Sequence, residues 1–126
     1  MKSILLPIKP VFVERILSGE KWYEFRKRLP LDVERVVIYE TAPTKKVVGE
    51  FRCKRVICAP KEKLWQFTFK GAGIDKSFFD SYFSNVEKGM AIEIETPVSY
   101  DSHIDLRDIG VEFTPQSWIY LKKKIM

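Results

Sequence analysis

The chain has 126 residues, of which 45% are hydrophobic and 31% charged, and this composition is typical of a folded protein. Its length predicts a single domain over residues 1–126. The net charge of +5 argues against an acidic metal site or a calcium module. One histidine and two cysteines leave a zinc site without enough ligands. We therefore expect neither a metal nor another cofactor.

The apolar segments are too short for a secretory signal or a membrane span. The run after Met1 ends within about five residues at Pro7, and no segment approaches the roughly 20 apolar residues of a span. Cys53 and Cys58 have opposite parity in one strand-like run, so they are poorly placed to pair or to share a metal. We expect both to be reduced, mostly buried thiols in a cytoplasmic protein that does not contact a membrane.

The first elements follow from an apolar run and a proline. Residues 3–8 predict a strand because they are apolar with β-branched members. Pro10 opens a helix, since proline suits the first helical position. Apolar residues spaced i, i+1, i+4 and i+5 from Phe12 form one stripe of that helix. Gly19 ends it, because glycine adopts the left-handed conformation easily.

Three strands are predicted next. Residues 22–28 alternate between an apolar-centred face and a polar face, which predicts a strand. Residues 35–39 form a continuous apolar run, as in a strand covered on both sides. Residues 46–58 predict a long strand, in which Gly49 marks a bulge or a close backbone approach.

The second half contains two further helical segments and two strands. The pattern predicts a helix over residues 60–69, a helix capped by Asp75, a strand over 90–98, a loop over 99–110 with a helical turn near 105–108, and a last strand over 111–121. The resulting order predicts an α+β, mainly β fold. We expect a mostly antiparallel, partly open β-barrel of about six strands with two to three helices.

The densest basic segment is residues 21–28. It contains Lys21, Arg26, Lys27 and Arg28. Two interpretations stay open: a solvated strand face, or a nucleic-acid-binding surface in which guanidinium groups bind phosphates. In the second, Trp22 stacks on an unpaired base.

Glu24 also has two interpretations. It either accepts a hydrogen bond from an exocyclic amine of a base or pairs with a neighbouring cation. The tail Lys122-Lys123-Lys124 either attracts phosphates or is a solvated end. His103 is assigned to a solvated loop rather than to catalysis, and the aromatic residues of the third helix are assigned to the core.

Six segments in this order resemble the ASCH-domain family of the PUA-like superfamily over nearly the whole chain. They are Ile8-Lys9-Pro10, Ile16-Leu17-Ser18-Gly19-Glu20-Lys21, Tyr23-Glu24-Phe25-Arg26-Lys27-Arg28, Ile38-Tyr39-Glu40-Thr41-Ala42-Pro43, Val47-Val48-Gly49-Glu50-Phe51 and Pro115-Gln116-Ser117-Trp118. The resemblance implies a PUA-like pseudo-barrel with a cleft beside the first helix, lined by the Gly-x-Lys-x-x-Glu-x-Arg strand. It also implies RNA binding, with proposed roles as coactivators or in RNA modification.

The candidate site combines this resemblance with the basic segment. The expected nucleic-acid-binding residues are Lys9, Gly19, Lys21, Trp22, Glu24, Arg26, Lys27, Thr41, Gln116 and Ser117. One branch of the family hydrolyses N4-acetylcytidine with a lysine and, three residues later, a threonine nucleophile. Lys21 matches the lysine, but Glu24 stands where that branch has threonine, so this activity does not transfer.

Three functional hypotheses follow. The leading one is an RNA-binding protein of RNA metabolism or of transcription or translation regulation, with DNA or a nucleotide or nucleoside as alternative ligands. The second is a hydrolase of a modified nucleobase or nucleoside, with Lys21 and Glu24 as the acid-base or nucleophilic pair. The third is a protein-interaction module that uses the aromatic helical insertion.

Overall fold

The computed structural model describes residues 2–122. Their elements are β1 (Ser3–Ile8), α1 (Pro10–Leu17), β2 (Tyr23–Arg26), β3 (Arg35–Glu40), β4 (Lys46–Pro60), α2 (Lys61–Thr68), a 3-10 turn (Phe69–Gly71), α3 (Lys76–Tyr82), β5 (Lys88–Ile104), a second 3-10 turn (Leu106–Ile109) and β6 (Ile119–Leu121). Lys123 and Lys124, for which we predicted phosphate attraction or a solvated tail, lie outside the described residues.

The six strands form one sheet in the order β2-β5-β4-β3-β1-β6. β1 runs parallel to β3, and all other neighbouring strands are antiparallel. The two ends of this order, β2 and β6, do not pair, so the sheet is a partly open barrel. The predicted mainly β fold is confirmed, and the number of strands and helices agrees with the prediction.

Two apolar clusters fix the helices that border the site. The stripe of α1 buries Val13 and Ile16 against apolar residues of β1 and β3. A second cluster packs Leu64 of α2 and Phe79 of α3 against Phe25 of β2. Burial of these side chains supplies about 1.5–3 kcal/mol each. The first cluster therefore holds α1 against β1 and β3, and the second holds α2 and α3 against the short edge strand β2.

Gly49 lies where the predicted close backbone approach occurs. A Cβ built on Gly49 would lie 2.4 Å from the carbonyl oxygen of Val98, and the β4–β5 register shifts between Val47 and Gly49. The predicted helical turn near residues 105–108 is also present, as Leu106–Ile109.

Two strand boundaries differ from the prediction. β5 continues to Ile104, where the polar sequence from residue 99 predicted a loop. Backbone pairing with β4 extends it, since Ser99 lies opposite Gly49 and Ile104 opposite Val47. The last strand covers only Ile119–Leu121, because three residues pair with β1 and Pro115 has no N–H to donate.

The cysteines and the histidine show a further difference. Cys58 is exposed and Cys53 half-buried, so the prediction that both are mostly buried is wrong for Cys58. Strand alternation allows only one of the two to face the core. Burial raises the pKa of Cys53 to about 11. His103 is exposed as expected, but it belongs to β5 rather than to a loop.

No helix within residues 2–122 is long and apolar enough to cross a membrane. The single domain and the cytoplasmic location stay predictions.

Candidate functional site

The connection from α1 to β2 places Lys21 before strand alternation begins. Gly19 has φ +86°, and the Lys21 N–H donates to the carbonyl of Arg15 at 2.9 Å. β2 begins only at Tyr23. Alternation from residue 21 would place Lys21 opposite Glu24, but the turn brings the Lys21 Nζ within 3.7 Å of Glu24 Oε1. The two side chains therefore converge.

Lys21 is buried, with 2% of its surface exposed. Its Nζ donates to the carbonyl of Ala72 at 2.6 Å. The ammonium lies 5.0 Å from the ring centroid of Phe25 and 5.4 Å from that of Phe12, which are cation–π distances. Burial lowers the pKa of Lys21, and the neighbouring Glu24 carboxylate partly opposes this effect.

Glu24 is buried as well, although its place on the polar face of the predicted strand suggested a solvated side chain. Its Oε2 accepts from Nη1 of Arg26. Its Oε1 is buried and has no hydrogen-bond partner. Buried polar atoms in folded proteins are nearly always hydrogen-bonded, whereas Oε1 has only the longer ion pair with Lys21 among the described residues and can still accept a hydrogen bond.

Arg26 holds Glu24 in this position. Its Nη1 also donates to the carbonyl of Phe25 at 2.7 Å, and its Nη2 donates to the carbonyl of Pro7 at 2.5 Å. Arg26 thus ties β2 to β1 and occupies Oε2. The free acceptor of the pair is Oε1.

A cavity of about 280 Å³ opens onto Lys21 and Glu24. We call it the aromatic cavity, because Phe12, Phe78 and Tyr82 contribute to its walls. Its lining residues are Pro7, Lys9, Phe12, Lys21, Glu24, Phe25, Arg26, Thr41, Ile74, Phe78 and Tyr82.

A second cavity of about 280 Å³ adjoins the first and is called the basic groove. It is lined by Pro7, Arg26, Lys27, Arg28, Tyr82, Gln116 and Ser117. Pro7, Arg26 and Tyr82 border both cavities, so the two lie side by side, and we call them together the cleft.

Most of the predicted site residues border this cleft. Lys9 and Thr41 line the aromatic cavity together with Lys21, Glu24 and Arg26. Lys27, Gln116 and Ser117 line the basic groove.

Gly19 and Trp22 line neither cavity. The Trp22 indole N–H donates to the carbonyl of Gly19 at 2.9 Å, and its ring packs against Gly71. Half of Trp22 is exposed. Gly19 acts by shaping the turn, and Trp22 presents its ring outside the cleft.

The sequence analysis missed Phe78 and Tyr82, which it assigned to the core. Phe79 and Phe83 of the same stripe are fully buried, whereas Phe78 is 40% exposed and Tyr82 half-buried. Residues four apart share one helix face, so 78 and 82 form one pair and 79 and 83 another. The apolar stripe of α3 is two residues wide, and this width was the signal in the sequence that only one of the two pairs would reach the core.

Three consecutive carbonyls lie beside Lys21 and the residues around it. The carbonyl of Gly71 accepts from the backbone N–H of Trp22 at 2.7 Å. The carbonyl of Ala72 accepts from the Lys21 Nζ at 2.6 Å. The carbonyl of Gly73 accepts from the Arg15 Nη1 at 2.7 Å. A Cβ on Gly71 would lie 2.1 Å from the Trp22 ring, and one on Gly73 would lie 2.5 Å from Lys21. This glycine segment, residues 71–73, approaches both side chains closely because its outer members lack a side chain.

Within residues 2–122, no three His, Cys, Asp or Glu side chains gather as metal ligands do.

The fold and the cleft define a PUA-like barrel in which a buried lysine–glutamate pair is joined by a partly buried arginine. A comparison with protein-family models finds no match. A sequence relative, the ASCH domain-containing ribonuclease of Zymomonas mobilis, is 30% identical over 131 residues, which cover 98% of this chain and 86% of the relative. The chain belongs to the ASCH-domain family.

Two further similarities are found, of which the first agrees with this assignment. The crystal structure of ASCH from Zymomonas mobilis matches with a TM-score of 0.89 at 30% identity, over 97% of this chain and 89% of that chain. The large ribosomal subunit protein uL22 of Ureaplasma parvum is 34% identical over 123 residues. This match covers 96% of the present chain but only 40% of that relative's length.

Proposed function

We propose that the protein binds RNA by accepting one unpaired base into the aromatic cavity. The observation that carries the proposal is that Glu24, whose buried Oε1 lacks a hydrogen-bond partner, is one of the residues that line that cavity. An N–H group of a base would satisfy this oxygen, as carboxylates do with base amino groups. The rings of Phe12, Phe78 and Tyr82 offer surfaces for the base to pack against.

RNA is favoured over DNA for two reasons. Sequence-specific RNA recognition mostly targets unpaired bases, which a small cavity can accept one at a time. One relative is named a ribonuclease and another a large ribosomal subunit protein, and both names support RNA as the ligand. A role in RNA metabolism, or in regulating transcription or translation, would follow from this binding.

Fluorescence anisotropy with a labelled single-stranded RNA of about ten nucleotides tests the proposal. We expect binding that weakens as salt rises, and a loss of about tenfold or more in Lys21→Ala and Glu24→Gln. Lys63→Ala and Glu62→Gln on the exposed side of α2 are matched controls that change the same charges away from the cleft.

Equal affinity in the cleft variants and the wild type would overturn the location of the site. Equal affinity for a DNA strand of the same sequence would overturn the preference for RNA. Binding of free nucleotides but not of the oligonucleotide would restrict the ligand to a small molecule.

A second candidate function is a hydrolase acting on RNA or on a modified nucleobase or nucleoside. It is favoured by the buried Lys21, whose pKa is lowered, beside the Glu24 carboxylate. Such a pair suits general acid–base catalysis. For an acylated base amine, water would add to the acyl carbon, the C–N bond would break, and the amine would leave with a proton.

Chromatography of acylated nucleosides and of RNA after incubation with the protein tests this second candidate. The expected result is product formation that Lys21→Ala abolishes and Lys63→Ala preserves. Absence of product across the panel would reject the hydrolase and leave RNA binding as the function.

A further inference from the structure

We propose that the cleft has two subsites for one nucleotide: the aromatic cavity takes the base, and the basic groove takes its phosphate through Lys27 and Arg28. This inference rests on the proposed function, because it assumes that the aromatic cavity holds a base. It adds a phosphate-binding site and assigns a role to Arg28, which the sequence analysis did not include among the site residues.

The two cavities share three lining residues and differ in their acidic content. The aromatic cavity is lined by Lys9, Lys21 and Arg26 but also by the Glu24 carboxylate, which repels a phosphate and is the ion-pair partner of Lys21 and Arg26. The residues that line the groove include three cations, an amide and a hydroxyl, and none of them is acidic.

The cations of the groove are not equally available. The guanidinium of Arg26 is engaged by Glu24 and by the carbonyls of Phe25 and Pro7. Within the chain from 2 to 122, no carboxylate forms an ion pair with Lys27 or Arg28. Both are exposed and border the groove. They are therefore the cations that a ligand can engage without breaking an existing ion pair.

Neighbouring contacts position these two residues. The Lys27 Nζ lies 5.3 Å from the ring centroid of Tyr82, the ring at the border of the two cavities. The carbonyl of Arg28 accepts from the Trp118 indole N–H at 3.1 Å, which anchors the backbone beside Gln116 and Ser117. A guanidinium, an ammonium and side-chain amide and hydroxyl donors together form a set that suits phosphate oxygens.

The sizes of the cavities agree with one nucleotide. Each measures about 280 Å³, which is at the lower end of ligand pockets, roughly 300 Å³. Neither cavity has room for several bases. The cleft would thus hold a single base and its phosphate, while the rest of an RNA strand passes over the surface.

Isothermal titration calorimetry can separate the two subsites. The probes are cytidine, uridine, adenosine and guanosine, their 3′- and 5′-monophosphates, and inorganic phosphate. For the wild type we expect at least one monophosphate to bind about tenfold more tightly than its nucleoside, and this ratio to fall as salt rises. In Lys27→Ala/Arg28→Ala the ratio of monophosphate affinity to nucleoside affinity should fall to about one.

Two further variants complete the design. Glu24→Gln should weaken the nucleoside and the monophosphate by the same factor and leave the ratio unchanged. Lys63→Ala/Lys70→Ala removes the same net charge from exposed residues that border neither cavity and should change neither affinity. Thermal unfolding of each variant verifies that it is folded.

The outcomes distinguish this inference from the proposed function. A ratio near one in the wild type, or a high ratio that survives in Lys27→Ala/Arg28→Ala, overturns the phosphate subsite while base binding stands. Monophosphate binding that Glu24→Gln does not weaken overturns the base in the aromatic cavity, and with it the proposed function. Binding of inorganic phosphate as tightly as the monophosphate overturns the linkage of the two subsites.

Discussion

Two carboxylates of the same sheet, Glu50 and Glu24, differ in how completely their oxygens are satisfied. Glu50 accepts from the Arg35 Nε at 3.0 Å and the Arg35 Nη2 at 2.5 Å, one bond to each oxygen, and from the Tyr100 hydroxyl at 2.7 Å. The hydrogen bonds from Arg35 lower the pKa of Glu50 and raise that of Arg35. This cluster is complete without a ligand.

The Glu24 cluster is incomplete. Arg26 satisfies one oxygen, whereas the other has no hydrogen-bond partner and lies 3.7 Å from a lysine whose pKa is lowered by burial. Burying an acceptor without a hydrogen bond costs about 1–3 kcal/mol of stability. The Glu24 cluster is therefore not arranged for maximal stability. Both oxygens of Glu50 are thus hydrogen-bonded within the fold, whereas one oxygen of Glu24 is not.

The largest expected effect comes from breaking the complete cluster. Arg35→Ala should lower the free energy of unfolding by about 3 kcal/mol, because it leaves the Glu50 carboxylate without its principal partner. Urea unfolding measures this change, with Lys63→Ala as the control. Affinity for RNA per folded molecule should not change, since Arg35 borders neither cavity. A stability loss below about 1 kcal/mol would remove the contrast between the clusters.

Substitution in the Glu24 cluster should affect RNA affinity more than stability. Glu24→Gln should lower affinity for RNA by roughly 10- to 100-fold, or about 1.5–3 kcal/mol, because it removes the charge of the free acceptor. Its free energy of unfolding should also fall, because Lys21 loses the carboxylate 3.7 Å from its ammonium, but by less than in Arg35→Ala, since glutamine keeps an acceptor for Arg26. If unfolding were affected more strongly than binding, Glu24 would be structural like Glu50.

Trp22 provides a smaller effect outside both clusters. Its ring is half-exposed and its indole N–H is fixed by Gly19, so it can stack on a base without reorganising. Trp22→Ala should cost about 1 kcal/mol in affinity for an oligonucleotide and nothing for a mononucleotide. Anisotropy and calorimetry compare the two ligands. An equal loss for both would place Trp22 in the cleft.

The smallest expected effect is a pH dependence of stability from Lys21. Burial lowers its pKa below the usual 10.5, so between the lowered pKa and the usual one the unfolded chain binds more protons at this residue. Stability should therefore rise with pH across that window. The variant Lys21→Met has no ionisable group at this position. The free energy of unfolding of the wild type should therefore rise relative to that of the variant from pH 7 to pH 10. A constant or falling difference would contradict the lowered pKa.

The helix and strand order follows from local signals in the sequence. Pro10 and Gly19 bound the first helix, which the structure places at Pro10–Leu17. Alternation and apolar runs in the sequence locate β1 to β4, because these strands pack apolar side chains against the core. The C-terminal boundaries do not follow, because the end of β5 depends on backbone pairing with β4 across the sheet.

The charged residues of the candidate site are predictable from the sequence, but its geometry and its aromatic lining are not. The basic segment and the family motifs identify Lys21, Glu24 and Arg26, and the turn at Gly19 explains their convergence. Burial of Glu24 does not follow from an alternating pattern that places it among cations. The assignment of Phe78 and Tyr82 to a cavity wall depends on how α3 is rotated above the sheet, which no local signal determines.

The glycine segment constrains how the chain around Lys21 can diverge among related proteins. Its three carbonyls are each engaged, and a side chain at Gly71 or Gly73 would overlap Trp22 or Lys21. Substitution of these glycines would therefore displace Trp22 or Lys21 before it added any group to the cavity. Phe12, Phe78 and Tyr82 line the aromatic cavity themselves, and a library that varies these three positions would change its shape directly.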